Sequence, residues 1–438
     1  MFMINLGYFC TYVGDLVALP AMILYVTVGI VLTIKTRFIQ VRALPRLFKL
    51  LFGGVKHHKN TKNEKTINPF HALLTAMSTT IGMGNVVGPT IAVSTGGPGA
   101  LFWLVAYAFF GAVTKFVEVI FAMEFRTKLK SGEILGGPTQ YLKEVSPVLA
   151  FWYGSLTMVV FAGWSGQQAN TLANIFELEM VPPWITGFLL ALIVFIILLG
   201  GIQRIGEMAS KLVPFMFVLY VTFALGILFS DFTALWSAII LVFKSAFTPC
   251  AAVGGFVGAS IMAAMQQGVN RSIYITEAGL GTSSIAHAMA DTDRHEDQAI
   301  LAMFSVAADM ILSVLSGLIV IVTGLWVKGS FSNTLVYEAF KVYSPGVGKW
   351  VLLLSITLFV LTTVIGNSFN ASQSFASFTK YKWMLWYYFA LSAIIFVGAL
   401  ADVTLIWKVM DLFQVLVAVP HLIGLLILSF KKGKLIHI

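Results

Sequence analysis

The sequence predicts an all-α membrane protein with about eleven transmembrane helices, and three observations lead to this fold class. Hydrophobic residues fill 58% of the 438 positions and charged residues only 11%, with a mean hydropathy of +0.89, whereas soluble domains carry roughly 25% charged residues. Apolar segments long enough to span a bilayer recur along nearly the whole chain. The basic residues lie in the short loops between these segments, so the net charge of +9 encodes topology and does not indicate a nucleic-acid partner.

Eleven apolar segments are the candidate membrane helices. They cover residues 16–34, 70–95, 99–125, 148–176, 183–200, 208–229, 238–280, 299–327, 350–378, 384–401 and 404–430. The segment 238–280 is too long for one straight crossing at about 1.5 Å per residue, so we expect it to contain a break.

The first loop sets the expected orientation in the cell membrane. Residues 35–66 contain nine basic residues and a single acid, Glu64, which places this loop in the cytoplasm. Alternation along the remaining helices then leaves the N-terminus outside and the C-terminus inside.

The helix count also suggests how the chain is organised. Residues 1–66 supply an extra helix and the basic loop, 67–430 form the core, and 431–438 are a cytoplasmic tail. Ten core helices divide into two units of five, about 67–230 and 236–430, which enter the membrane in opposite orientations. This is the topology of inverted-repeat transporters.

A polar, glycine-rich stretch interrupts the first core helix. Gly82, Gly84, Gly88 and Pro89 lie near its middle, where glycine costs about 1 kcal/mol and proline about 3 kcal/mol. The stretch is expected to unwind, exposing carbonyls to a cation and amides to a carboxylate. Close helix packing through small residues is the alternative.

Two glycine-rich stretches within 238–280 are candidates for a matching interruption. The run 251–260, which contains Gly254 and Gly255, is the expected partner of the first break. The run 277–281 is either a further functional segment or a glycine-capped helix end at the cytoplasmic side, and we favour the helix end.

Polar side chains elsewhere in the apolar segments have two interpretations each. The amides of Gln167, Gln168 and Asn170 bind either a substrate or a neighbouring helix. Lys115 and Glu118, three positions apart, are expected to neutralise each other near an interface, as are Lys408 and Asp411. Asp309 has no partner at helical spacing and is the stronger candidate for a proton relay.

Several ordered motifs resemble the prokaryotic alanine/glycine:cation symporters. They are TTIGMGNVVGP at 79–89, GGPGALFW at 96–103, KLVPFM at 211–216 and EAGLG at 277–281. The resemblance implies the leucine-transporter fold, with a small neutral amino acid and sodium bound between two inverted five-helix repeats in a prokaryotic plasma or inner membrane. It implies sodium as the coupling ion and no other cofactor.

The resemblance also implies particular binding residues. For sodium these are the carbonyls of Ser78, Ile81 and Phe359 with the hydroxyls of Thr362 and Thr363, since hard cations prefer oxygen ligands. For the substrate they are Gly82, Gly84, Asn85, Gln168, Gly254, Gly255, Phe256 and Asn367.

One segment departs from the family pattern. Residues 366–372 read GNSFNAS, where the family has roughly GWSYYGE, so Asn367 replaces a large aromatic residue. The substrate is therefore expected to be alanine-like or somewhat larger or more polar.

Other functions find less support in the sequence. An intramembrane enzyme is disfavoured because there is no HExxH motif and no suitably placed aspartate pair. A channel is disfavoured because no filter loop is apparent. Proton coupling within the same fold is the main alternative, and Asp309 and Lys115 are its support.

Overall fold

The computed structural model describes residues 2–53, 66–130, 132–250, 258–292, 294–328, 334–343 and 346–436. The first half of the chain contains α1 (Phe2–Lys35), α2 (Ile39–Arg42), α3 (Leu44–Gly53), α4 (Pro69–Thr80), α5 (Met83–Gly96), α6 (Gly99–Glu124), β1 (Thr127–Lys128), β2 (Ile134–Leu135), α7 (Pro138–Tyr141), α8 (Pro147–Glu177), α9 (Pro183–Leu198) and α10 (Gly201–Ser230). The second half contains α11 (Phe232–Phe247), α12 (Ile261–Thr276), α13 (Ser283–His287), α14 (His295–Val322), α15 (Leu335–Tyr343), α16 (Val347–Thr379), α17 (Met384–Ala399) and α18 (Val403–Lys431). Short 3₁₀ helices lie at Leu142–Glu144, Leu325–Lys328 and Gly433–Ile436.

Seven of the helices in the described residues are long and apolar enough to cross a membrane. They are the Tyr12–Lys35 part of α1, α6, α8, α10, α14, α16 and α18. Shorter apolar helices are α9, α11 and α17. The two strands have two residues each and form a small antiparallel hairpin after α6. The other elements of the described residues are helices, so the predicted all-α class is confirmed.

The first predicted break is present. α4 ends at Thr80, Ile81 and Gly82 adopt extended backbone, and α5 begins at Met83. The Asn85 side chain stabilises the new helix start, because its Oδ1 accepts a hydrogen bond of 3.0 Å from the Gly82 amide. Pro89 lies inside α5 without ending it.

The neighbouring glycines serve close packing, so both interpretations of this stretch apply. A Cβ on Gly84 would lie 3.0 Å from the Tyr274 ring, and one on Gly88 would lie 3.1 Å from the Ile275 side chain. These glycines therefore let α12 lie directly against α5.

The second interruption follows α12 and faces the first. Glu277 has a left-handed backbone with φ 53°, and Gly279 and Gly281 have φ 92° and 76°. The Thr79 hydroxyl lies 3.5 Å from a Glu277 carboxylate oxygen, which places this segment beside the end of α4. The expectation of a glycine-capped end at the cytoplasmic side is therefore wrong in position: the helix does end here, but buried and next to the first break.

The long segment 238–280 contains a break, as expected, but only its second part leads toward the first break. α11 begins directly after α10 and ends beside the start of α6, where the Ala246 carbonyl accepts a hydrogen bond of 3.1 Å from the Trp103 indole. A Cβ on Gly99 would lie 2.2 Å from the Ser245 carbonyl oxygen. α11 thus runs from the end of α10 to the start of α6, on one side of the bundle.

Residues 254–256 lie outside the described residues, so the structure does not test Gly254, Gly255 and Phe256. The residues that flank them do have defined positions. Cys250 and Ala259 exchange backbone hydrogen bonds of 2.9 and 3.0 Å, and the first turns of α12 lie beside the start of α6. The N-terminal end of α12 is about 24 Å from Glu277, since the 16 residues of α12 rise about 1.5 Å each.

A polar contact fastens α15 to the loop that follows α8. The Glu179 carboxylate pairs with the Lys349 ammonium and accepts a hydrogen bond from the Tyr337 hydroxyl. These two partners hold the pKa of Glu179 below its usual value. By the predicted orientation, this contact lies on the outer side of the membrane.

Candidate functional site

A small buried cavity lies between the two breaks, and we call it the central cavity. It has a volume of about 10 Å³, which is close to the space one water molecule needs. It is lined by Thr79, Thr80, Gly84, Trp164, Gln168, Tyr274, Glu277, Thr363 and Asn367. The substrate candidates Gly84, Gln168 and Asn367 and the sodium candidate Thr363 are therefore brought together.

Side-chain amides already bind the backbone amides of the first break. Gln168 Oε1 accepts a hydrogen bond of 3.2 Å from the Met83 amide, and Asn85 Oδ1 accepts one from the Gly82 amide. An amide oxygen accepts hydrogen bonds as a carboxylate oxygen does. A substrate carboxylate at this break would therefore take over an interaction that Gln168 makes here.

Several buried polar atoms near the central cavity have no hydrogen-bond partner within the described structure. They are the donors Trp164 Nε1 and Gln167 Nε2 and the acceptor Asn367 Oδ1. Buried polar groups in proteins are nearly always paired. These atoms therefore provide free hydrogen-bonding capacity for a small polar ligand.

The five sodium candidates lie on two facing segments. The Thr363 hydroxyl donates to the Ile81 carbonyl at 3.1 Å, across the gap between α16 and the first break. A Cβ on Gly82 would lie 2.3 Å from Thr363 Oγ1, so only glycine allows this approach. Ser78, one turn earlier on α4, lies against Gly366 of α16, where an added Cβ would be 2.7 Å from Ser78 Oγ.

Thr362 has different contacts from its neighbour. Its hydroxyl donates to the Leu358 and Phe359 carbonyls at 2.9 and 3.1 Å and lies 3.4 Å from the Met216 sulfur on α10. Thr362 therefore bonds mainly to its own helix, and Thr363 is the member of the pair that reaches the break.

Buried charges surround the second break. Lys115 and Glu118 interact electrostatically, as expected, but each makes its hydrogen bonds to other groups. Lys115 Nζ donates to the Ser305 hydroxyl at 2.9 Å. Glu118 accepts hydrogen bonds of 2.9 and 3.1 Å from the Gly279 and Gly281 amides. Both side chains are completely buried, so Glu118 fixes the unwound segment from α6.

Asp309 is placed beside the first break. Its Oδ1 accepts a hydrogen bond of 3.2 Å from Asn85 Nδ2, while its Oδ2 has no hydrogen-bond partner within the residues described. Lys115 is close enough to Asp309, Glu277 and Glu118 to interact electrostatically with all three. One buried cation therefore lies among several carboxylates.

The expected pairing of Lys408 with Asp411 is wrong. Asp411 forms an ion pair with Arg271 of α12 at 3.2 Å. Sequence reasoning further missed Trp164, Tyr274 and Glu277 at the central cavity. The position of Glu277 directly before a glycine-rich run, the same pattern that marked the first break, was the available signal.

Comparison with known proteins agrees with this architecture. The model of the sodium:alanine symporter family matches residues 5–437. The chain is 33% identical over 423 residues to the sodium/alanine symporter AgcS of Methanococcus maripaludis, covering 93% of this chain and 91% of that protein. It is 31% identical over 418 residues to the probable sodium/glutamine symporter GlnT of Bacillus subtilis, covering 93% and 85%.

A solved structure shows the same fold. MhsT in complex with L-phenylalanine superposes with a TM-score of 0.62 at 14% identity, covering 84% of this chain and 90% of that one. The predicted leucine-transporter-like architecture is thereby confirmed. The chain is a multi-pass membrane transporter and not an enzyme, and it belongs to the sodium:alanine symporter family, whose members couple amino-acid transport to sodium.

Proposed function

We propose that this protein carries a small neutral amino acid into the cell together with sodium, by alternating access. The main support is the central cavity itself, where the two helix breaks, Gln168, Asn367 and Thr363 meet. Paired interruptions at one buried point are the usual binding site of inverted-repeat transporters. The N-terminus lies outside and the C-terminus in the cytoplasm.

The charge pattern around the central cavity suits a zwitterion. The amides of Gly82 and Met83 offer donors to a carboxylate, and they lie at the start of α5, where the helix dipole is positive. Glu277 and the carbonyl oxygen of Asn367 offer acceptors to an ammonium group. Binding both ends at once avoids leaving a net charge buried in the membrane.

Sodium enters as a co-transported substrate. The Ile81 carbonyl and the Thr363 hydroxyl are 3.1 Å apart and already face each other, and the other three candidates are Ser78, Phe359 and Thr362. Oxygen donors of this kind match a hard cation.

Larger cavities on both sides of the central one support alternating access. A cavity of about 320 Å³ lies toward the predicted outer side and includes Thr95 and Gln267. Another of about 170 Å³ lies toward the inner side and includes Ile202 and Gln373. The much smaller central volume between them is what a closed site has before one side opens.

The experiment that tests this function is uptake into proteoliposomes under an imposed gradient. At −100 mV an inward charge gains about 2.3 kcal/mol, so one sodium per neutral amino acid gives roughly 50-fold accumulation from voltage alone. We expect alanine uptake to need a sodium gradient. Uptake that persists in sodium-free buffer and follows a proton gradient would establish proton coupling instead, for which buried Asp309 and Lys115 are the structural support.

Competition assays test the substrate class and the role of Asn367. Because Asn367 replaces a large aromatic residue and lines the cavity, we expect side chains larger than a methyl group to compete with alanine. Asn367→Trp should restrict competition to glycine and alanine, while Asn367→Ala, the matched control, should keep the broad range. Competition by alanine and glycine alone in the wild type would disprove the wider range, and no competition by any amino acid would disprove the substrate class.

A further inference from the structure

Exposed apolar side chains continue from the surface of α1 onto the short helix α3. They recur every three or four positions, which is the spacing of one helix face, at Ile30, Ile34, Phe38, Val41, Leu44, Phe48 and Phe52. The first two belong to the membrane-crossing part of α1, where an exposed apolar side chain contacts lipid tails. The series continues beyond the end of α1 at Lys35 and reaches Phe52, which is 87% exposed.

The helix α3 has three different faces. Leu47 and Leu50 are buried against the bundle, whereas Phe48 is exposed. Arg46 and Lys49, three positions apart, lie between the buried and the exposed face and form a basic face. A helix with an exposed apolar face beside basic residues is typical of one that lies in the membrane surface, with its basic side chains at the headgroups.

The position of α3 in the chain agrees with a place at the membrane surface. α3 begins a few residues after α1 ends at Lys35, so it starts close to the depth at which α1 leaves the membrane. By the proposed orientation this is the cytoplasmic side, where the leaflet carries anionic lipids that attract basic side chains.

An ion pair connects α3 to the helices that lead to the first break. Arg46 Nε and Nη2 donate to Asp297 Oδ1 at 2.8 and 2.7 Å. Asp297 lies in the first turn of α14, and its side chain is only 5% exposed. The next residue, Gln298, donates from Nε2 to the Pro69 carbonyl at 3.2 Å, at the start of α4. α3 is therefore tied to the ends of both α14, which carries Asp309, and α4.

We propose that α3 is a docking surface for anionic phospholipid of the cytoplasmic leaflet, and that lipid bound there fixes the inner ends of α14 and α4 through Arg46 and Asp297. Phe48 and Phe52 enter the boundary between headgroups and acyl chains, while Lys49 binds lipid phosphates. Lipid fits this face better than a protein partner does, because the apolar series begins on the lipid-facing surface of α1 and its basic neighbours complement an anionic surface. The inference goes beyond the proposed function, and only the choice of leaflet depends on the proposed orientation.

The first experiment measures lipid contact at α3 in the full-length protein. Phe52→Cys carries a bimane label in a background without Cys10 and Cys250, and the protein is reconstituted in nanodiscs of phosphatidylcholine. Spin-labelled phosphatidylglycerol should quench the label more strongly than the same fraction of spin-labelled phosphatidylcholine. Lys49→Gln should lower the apparent affinity for phosphatidylglycerol about fivefold, the effect of one basic residue at an anionic surface.

Two control variants show whether the effect comes from the charge on α3. Lys49→Arg keeps the charge, and Lys432→Gln removes an exposed basic residue from the end of α18. Both should leave the quenching unchanged. Equal quenching by the two lipids would show an apolar anchor without anionic recognition and would overturn the proposal. No quenching by either lipid would mean that another protein surface, such as a second copy of the chain, covers α3, and would also overturn it.

The second experiment tests the connection from α3 to α14. Initial alanine uptake into proteoliposomes should rise as phosphatidylglycerol replaces phosphatidylcholine. Asp297→Asn keeps the basic face of α3 but removes its ion-pair partner, so it should keep the quenching and lose the lipid dependence of uptake. Glu296→Gln is the matched control and should keep both, because Glu296 is 3.8 Å from the Arg46 guanidinium and more exposed.

The two experiments separate the lipid site from the proposed function. Uptake that depends on phosphatidylglycerol equally in Asp297→Asn and in the wild type would overturn the connection through Asp297. Alanine uptake that is absent in every lipid mixture would count against the proposed function alone. Because the quenching needs no transport, it decides the lipid site whichever substrate the protein carries.

Discussion

Replacing Thr363 with alanine should weaken sodium activation of transport far more than replacing Thr362 does. The Thr363 hydroxyl spans the gap to the Ile81 carbonyl at 3.1 Å, whereas the Thr362 hydroxyl bonds to carbonyls of α16. A hydrogen bond or oxygen contact to a charged group contributes about 1.5–3 kcal/mol. At about 1.4 kcal/mol per tenfold, Thr363→Ala raises the sodium concentration for half-maximal uptake roughly 10- to 150-fold.

The assay is initial alanine uptake into proteoliposomes as a function of sodium concentration. Thr363→Ser keeps the hydroxyl and should stay within a few-fold of the wild type, while Thr362→Val keeps the shape and removes the hydroxyl. Thermal unfolding of each variant controls for lost stability. If Thr362→Val loses sodium activation and Thr363→Ala keeps it, the assignment of Thr363 to the ion is refuted.

Three further predictions follow from other parts of the molecule. Gln168→Glu places a carboxylate at the backbone amide of the first break, so it should lower alanine affinity at least tenfold, while Gln168→Asn should lower it less; unchanged affinity would contradict a carboxylate site there. In a background without the native cysteines, an impermeant thiol reagent should label Met180→Cys in intact cells and Lys49→Cys only in inside-out vesicles. The opposite pattern would reverse the orientation. The pKa of Glu179 is lowered in the folded state. Its contribution to stability is therefore present above the unfolded pKa of about 4.3 and is lost as the pH falls through the folded pKa. Thermal unfolding should show that Glu179→Gln, but not Glu177→Gln, removes this part of the loss of stability at acid pH.

The first break could be predicted because its signal is local. Gly82 occurs where a helix of ordinary composition would continue, and Asn85 occurs three residues later, where its side chain caps the new helix start. Backbone preference and capping act between near neighbours in the chain. The sequence therefore contains the information that determines this feature.

The break at 277–281 was not expected to be the partner of the first break, because the deciding information is not local. Residues 251–260 and 277–281 have similar composition within one long apolar stretch. The described contacts show that α11 runs from the end of α10 to the start of α6. Its hydropathy alone does not distinguish it from a helix that crosses the membrane. Only the packing of α12 against α5 shows that Glu277 reaches the first break.

The sequence did not identify the hydrogen-bond partners of Glu118 and Asp411 for a related reason. Helical spacing finds partners on the same helix, so it paired Glu118 with Lys115 and Asp411 with Lys408. In the structure the partners of Glu118 are the amides of Gly279 and Gly281, and the partner of Asp411 is Arg271. Both acids bind to α12 or to the break that follows it, which is far away in the sequence.

The two breaks that border the central cavity are bound by different sets of helices. Glu118 of α6 fixes the second break, and His421 of α18 adds a hydrogen bond of 2.8 Å to the Gly279 carbonyl. The first break is joined across the cavity by Thr363 of α16 and Gln168 of α8. A movement of α8 and α16 away from α5 would thus break the proposed sodium and carboxylate contacts together, while the bonds of Glu118 and His421 stay intact. Release of the ion and of the amino acid would then be coupled by geometry, because both depend on the same pair of helices.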